Sequence, residues 1–220
     1  MNPSVTLQGD IAVLDLGDAE NRFSLSWISA VERHLDEIQE GCSRALVTTA
    51  RGKFYSNGLD LEWIETQRDQ ISSYIERVQS LLARILAFPL PTVAAVNGHA
   101  FGAGAMFAIA HECQVMRSDR GYLCFPEVDI RIPFTPGMAA LIQAKLDHRT
   151  AITAMTSGHR YGGAEAHAQG LVDCAVPAED VLDTAFGMAA PLRGKDPETL
   201  AAIKSTIFTS AITALGRLPA

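Results

Sequence analysis

The chain has 220 residues, 48% of them hydrophobic, and its 25 acidic against 18 basic side chains give a net charge of −7. That length suits one domain with an ordinary core, and the acidic balance argues against a nucleic-acid partner held by phosphate neutralisation. No apolar run approaches the ~18 residues of a membrane span. The opening MNPSVTLQGD has no basic stretch before an apolar block, so no secretory leader is expected and the cytoplasm is the expected location. Val5-Thr6-Leu7 and Ile11 to Leu16 read as short strands around a Gly9-Asp10 turn. Ser24 or Ser26 can cap the next helix, whose Ile28, Val31, Leu35 and Ile38 keep helical spacing up to Gly41. Ala45 to Thr48 reads as a buried strand, followed by a Gly-rich polar loop from Arg51 to Asp60. The spacing of Ile71, Ile75, Val78, Leu82 and Ile85 predicts an amphipathic helix over 67–87, broken by Pro89 and Pro91. A strand at Val93–Val96 then leads through a small-residue turn, Gly98 to Gly104, into an apolar helix ending at Ala110. Strands near Gln114–Met116 and Tyr122–Phe125 follow, and the last third is mostly helical with one strand near Val172–Val176. Strands alternating with helices predict an α/β layered fold. Cys42, Cys113, Cys124 and Cys174 lie far apart with no CxxC pair and read as reduced packing residues.

Two loops share a plan. Asn57-Gly58-Leu59-Asp60 follows the strand at Leu46, and Gly98 to Gly104 follows the strand at Val93; each precedes helical sequence. If those strands are neighbours, two backbone N–H groups can converge on an oxygen that gains negative charge, such as an enolate. The plainer alternative is that both are simple glycine turns. Neither the dinucleotide GxGxxG spacing nor a Walker loop is present.

The segments GKFYSNGLDL (52–61), PTVAAVNGHAFGAGAMFAIAHE (91–112), FPEVDI (125–130) and GHRYGGAEAHAQGLVD (158–173) resemble the crotonase family, the enoyl-CoA hydratases and isomerases. Their order and spacing match as well. ENRFS (20–24), GKFYSNGLDLEW, MRSDRGYL and PEVDI are most similar to the delta isomerases of that family known from plants.

The resemblance implies an α/β spiral of ββα repeats of the crotonase, ClpP-like type over residues 1–190, and a C-terminal helical segment over 191–220 that packs in a homotrimer or a dimer of trimers. It implies an acyl-CoA thioester substrate, with coenzyme A part of that substrate, no separate cofactor and no metal. The thioester oxygen would sit between the backbone N–H groups of Leu59 and Ala103. Asn57, Gly58, Asp60, Leu61 and Gly102 would contact the substrate beside them, and Arg22 and Lys53 would meet the CoA phosphates. Hydratases of the family carry one Glu at the position of Met106 and a second at that of Glu127. Hydration needs two polar groups to manage one water, and a thioether cannot serve. A single carboxylate, Glu127, suffices to carry a proton from one carbon to another, so the resemblance implies an isomerase of 3-enoyl-CoA acting in fatty acid degradation. Hydration or another crotonase-type reaction of an acyl-CoA, and a non-catalytic acyl-CoA-binding role, stand as the alternatives. In an extended segment Asp129 would point to the same side as Glu127, and if the chain bends it need not; Asp129 is a second candidate base or a partner for Arg131. His99 is expected to pack rather than catalyse, and His111-Glu112 to cap the helix before it. Trp63, Phe101, Phe134 and Met138 are candidates for the pocket wall.

Overall fold

The computed structural model describes residues 2–216; the last four positions of the expected C-terminal segment lie outside them. Two strands, β1 (Ser4–Gln8) and β2 (Ile11–Asp15), form an antiparallel hairpin. Helix α1 (Leu25–Glu40) is capped by Ser24, whose hydroxyl accepts from the Trp27 N–H, and it ends at Gly41. Strand β3 (Ala45–Thr49) is buried throughout. The expected loop beyond it contains a further short strand, β4 (Phe54–Ser56). A short helix, α2 (Leu61–Thr66), comes first, and the helix expected over 67–87 is a single 3-10 turn at 68–70 followed by α3 (Ile71–Leu86). The Asp60 side chain starts α2 by accepting from the Trp63 N–H, which the apolar periodicity could not register. Strand β5 (Thr92–Val96) is followed not by a plain turn but by another short strand, β6 (His99–Phe101), and then α4 (Ala103–Ala110). Next come β7 (Cys113–Arg117), β8 (Leu123–Cys124) and α5 (Glu127–Ile130). Helices α6 (Pro136–Lys145), α7 (His148–Ser157) and α8 (Gly163–Ala168) precede β9 (Cys174–Val176). Helices α9 (Val181–Ala189), α10 (Pro197–Ile207) and α11 (Thr209–Leu215) complete the described chain.

The strands form two sheets. The larger has the order β1-β2-β3-β5-β7-β9 and is parallel apart from its first pair. Alternation along its strands divides the core. Val47, Val93, Ala95 and Val115 face α9, with its Val181, Ala185 and Ala189, while Leu46, Ala94 and Val96 face the main core with α1, α3 and α4. The smaller sheet is β4-β6-β8, parallel throughout.

The C-terminal helices dock on this body through specific contacts. Lys204 on α10 is buried, and its ammonium donates to the carbonyls of Phe88 (2.7 Å) and Leu90 (2.8 Å) while pairing with Glu112 at 2.8 Å. Gln79 of α3 donates to the Leu215 carbonyl at 3.1 Å. Glu112 also accepts from the Thr92 N–H at 2.7 Å, so it serves this clasp rather than capping α4. His111 does end α4: its backbone N–H bonds Ala108 O, and its ring lies 2.9 Å from the Phe107 carbonyl. Burial pushes the His111 imidazole down to about 3 and keeps it neutral. Among the described residues no helix is long and apolar enough to cross a membrane.

Candidate active site

The small sheet organises the site. Its three parallel strands lie side by side, and each hands the chain to one part of the site at its C-terminal end. Strand β4 leads to Asn57–Leu59, β6 to Gly102–Ala103, and β8 through Pro126 to Glu127. Carboxyl ends of parallel strands are the usual place for ligands in such sheets.

The first two segments touch. Gly58 has φ +77, a conformation that favours glycine. A Cβ built there would lie 2.5 Å from the Phe101 carbonyl oxygen and 3.0 Å from the Ala103 nitrogen. Gly102, at φ +52, leaves the same kind of space: its Cβ would stand 3.3 Å from Glu127 Oε1. The two glycine loops therefore converge, and the base candidate sits against one of them. Among the described residues neither the Leu59 nor the Ala103 N–H has an acceptor.

Asn21, a residue that sequence reading did not single out, holds this arrangement from behind. Asn21, buried and at φ +50, donates through its amide to the carbonyls of Phe54 (3.3 Å) and Tyr55 (3.1 Å), and its own carbonyl accepts from the Ser56 hydroxyl at 2.7 Å. The Phe23 N–H donates to Gly58 O at 2.8 Å. The signal was the short string ENRFS: a buried Asn in the left-handed region of a βα connection is a local hydrogen-bonding device.

These parts wall a cleft of about 480 Å³, lined by Leu59, Leu61, Phe101, Gly102, Ala103, Pro126, Ile130 and Ile132, with Glu127, Arg22, Asn57, Glu62, Cys124 and Arg160 as its polar members. Glu127 is 8% exposed, and its Oε2 has no hydrogen-bond partner among the described residues. Burial raises its carboxyl to about 7, opposed only by its own backbone amide. A carboxylic acid poised there can take and return a proton near neutrality.

Arg22 stands at the mouth but is engaged, bonding Glu20 at 2.6 Å and Glu62 at 2.8 Å with Asp60 at 3.9 Å. Glu62 and then Glu20 raise the guanidinium's pKa further, and Arg22 holds Glu20 below its ordinary range. Asn57 donates to the same Glu20 carboxylate at 3.1 Å. Lys53 lies outside the cleft lining, its ammonium 5.3 Å from the Phe54 ring centre. Gly58 and Asp60 sit just behind the lining, where they shape the loop and cap α2.

Of the candidate wall residues, Phe101 lines the cleft. Trp63 packs on Tyr74 with ring centres 5.0 Å apart, Met138 is buried in the main core, and Phe134 packs against that core. Arg160, 5.9 Å over the Phe101 ring, is a lining residue that sequence reading did not single out, and Cys124, read there as a packing residue, also lines the cleft. The Cys124 thiol donates to Gly158 O at 3.3 Å, and burial pushes it up to about 11.

Two expectations around Glu127 change. The segment is not extended; α5 begins at Glu127, and Asp129 lies exposed, against Gly158 rather than beside Glu127. Among the described residues no Asp129–Arg131 ion pair forms. Met106 stands one turn into α4. It is fully buried in the main core and is absent from the cleft lining. An eight-residue helix buried on every side leaves that position no open face.

The family pattern for enoyl-CoA hydratase/isomerase matches residues 7–217. Enoyl-CoA delta isomerase 3 of Arabidopsis thaliana is 35% identical over 213 residues, covering 91% of this chain and 90% of that protein. A putative enoyl-CoA hydratase of Thermus thermophilus is 30% identical, covering 91% of this chain and 81% of the relative. The crystal structure of human mitochondrial delta3-delta2-enoyl-CoA isomerase superposes with a TM-score of 0.92 at 22% identity, covering 98% of this chain and 86% of that one. That likeness carries the crotonase fold. The chain therefore belongs to the enoyl-CoA hydratase/isomerase family, the crotonases, and is an enzyme of that kind.

Proposed function

We propose that this crotonase is an enoyl-CoA isomerase that moves the double bond of a 3-enoyl-CoA into conjugation with its thioester. The Glu127 carboxylate takes a proton from the carbon between thioester and double bond. The electrons of that C–H bond flow into a dienolate, whose oxygen is held by the Leu59 and Ala103 N–H groups. Glu127 then returns the proton to the γ carbon, leaving 2-enoyl-CoA. Each fixed N–H donor aimed at a developing oxyanion is worth ~3 kcal/mol in such sites, and both proton transfers use one group, so no separate cofactor is invoked.

The observation that carries this reading is the pairing of Glu127 with Met106. The cleft encloses one buried carboxylate with an unpartnered oxygen, while the position where family hydratases carry another Glu holds an apolar side chain in the core. The other acid on the lining, Glu62, is exposed and tied to Arg22. Substrate phosphates would meet Arg160 and the mouth around Arg22 and Lys53. A homotrimer is part of the same reading, supported by the exposed Ile203 and Ile207 on α10.

Purified protein incubated separately with 3-enoyl-CoA and 2-enoyl-CoA tests the proposal. Conversion of the first to 2-enoyl-CoA, much faster than hydration of the second, is expected. Hydration at a comparable rate would favour the hydratase reading, and inertness toward both would favour a binding protein.

A further inference from the structure

The two proposed oxyanion donors are held in different ways. Ala103 begins α4, and the helix fixes it. Leu59 lies in a loop, so something must fix it from outside. Upstream, Gly58 O accepts from the Phe23 N–H at 2.8 Å. Downstream, the next amide, Asp60 N–H, donates to the Tyr74 hydroxyl at 2.9 Å. Tyr74 is buried on α3, 1% exposed, with its ring 5.0 Å from that of Trp63. Helix α3 in turn packs in the main core alongside α4. The Tyr74 hydroxyl is therefore the side-chain anchor on the downstream side of Leu59, and it fixes the ψ angle of Leu59 through the following peptide.

We infer that Tyr74 is a positioning residue: its buried hydroxyl, by holding the Asp60 amide, sets the direction of the Leu59 N–H in the oxyanion site. This rests on the function proposed above. Tyr74 is absent from the cleft lining; it acts through one peptide unit. Burial keeps its phenol protonated, with its pKa pushed up to about 12, so the anchor does not change over the working pH range. Rates in such sites respond to sub-ångström errors of placement, with ~1 Å costing about 100-fold, and an anchor one residue away is close enough to produce one.

The test is Tyr74→Phe, which keeps the ring and its packing on Trp63 and removes the hydroxyl that accepts from the Asp60 N–H. Tyr55→Phe is the control: Tyr55 is also buried, its hydroxyl lies 2.7 Å from Thr48 Oγ1, and it stands off the cleft. Turnover of 3-enoyl-CoA is measured for both, together with the infrared C=O stretch of bound 2-enoyl-CoA carrying ¹³C at the thioester carbonyl. The wild-type protein should shift that band to lower frequency. Tyr74→Phe should lose part of the shift and about 10- to 100-fold in kcat, with KM within about twofold because the donor bond strengthens only as the enolate forms. Tyr55→Phe should retain both. A Tyr74→Phe protein with wild-type kcat and carbonyl band overturns the inference and leaves the proposed function standing. Equal losses in both variants also overturn it, because they would mark general loosening. No band shift in the wild-type protein removes the oxyanion site itself, and the positioning role with it.

Discussion

Replacing Glu127 with Gln changes one atom, and two of its consequences follow from where the carboxyl sits. The group is 8% exposed, and burial raises it from 4.5 to about 7. Holding it ionised therefore costs the folded state about 3 kcal/mol, at ~1.4 kcal/mol for each pKa unit of that difference. The folded protein binds this proton more tightly than the unfolded chain, so between about pH 4.5 and 7 stability falls as pH rises, and above 7 the full cost is present. A neutral amide carries none of it. Glu127→Gln should thus unfold at nearly the same temperature as the parent at pH 4.5, and at pH 8 roughly 6–12 °C higher, taking ~2–4 °C per kcal/mol for a chain of this size. The same variant should lose 10²–10⁴-fold in isomerisation, the usual worth of a positioned acid–base group, while still binding acyl-CoA. The parent's turnover should rise with pH through about 7 as the base ionises. Calorimetry at the two pH values and a pH–rate profile make the checks. Residual activity within about tenfold of the parent, or an equal stability gain at both pH values, would refute the reasoning.

Other substitutions probe the remaining parts. Gly58→Ala places a Cβ 2.5 Å from the Phe101 carbonyl at φ +77, so it must separate the two loops; kcat should fall by about 100-fold, and a fall under threefold would show that the loops need not touch. Met106→Glu puts a carboxyl among fully buried neighbours, and urea unfolding should show a loss of at least ~2 kcal/mol, with unchanged stability contradicting the placement of this side chain in the core. Arg160→Met, which removes the cation above Phe101, should raise KM for enoyl-CoA several-fold and leave KM for the matching enoyl-pantetheine thioester unchanged; equal effects on both esters would exclude a phosphate contact.

Much of the fold was legible because long elements announce themselves. The stripe Ile28, Val31, Leu35, Ile38 and the β-rich run Thr92–Val96 carry enough apolar residues at fixed spacing to mark a helix and a buried strand. Strands β4 and β6, three residues each, were hidden inside loops. They are too short for a period to register, and their pairing is with each other and with β8, a long-range fact. The glycine loops could be located, but their contact could not, since it depends on backbone approach at Gly58 rather than on any side chain. Glu127 entered through its motif, whereas its environment comes from the burial of neighbours distant in sequence. Asn21, Tyr74 and Arg160 escaped because each acts on a segment remote in the chain, and a lone polar residue or aromatic has no period to betray it.

The small parallel sheet has a consequence for how this site can evolve. Because β4, β6 and β8 each deliver one proposed group, both donors and the base ride on a single hydrogen-bonded platform. Flexing that carries the three strands together preserves the spacing of the groups at their ends. Sequence drift should be tolerated in the same way across most side chains that face the cleft, since the donors are main-chain atoms common to every amino acid but proline. What cannot drift is chain length: inserting or deleting one residue between a strand's last pair and its group would move that group by ~3 Å relative to the other two. New specificities on this scaffold are therefore reached by recontouring the walls at positions such as Leu61, Ile130 and Ile132, while the three strand exits keep their register.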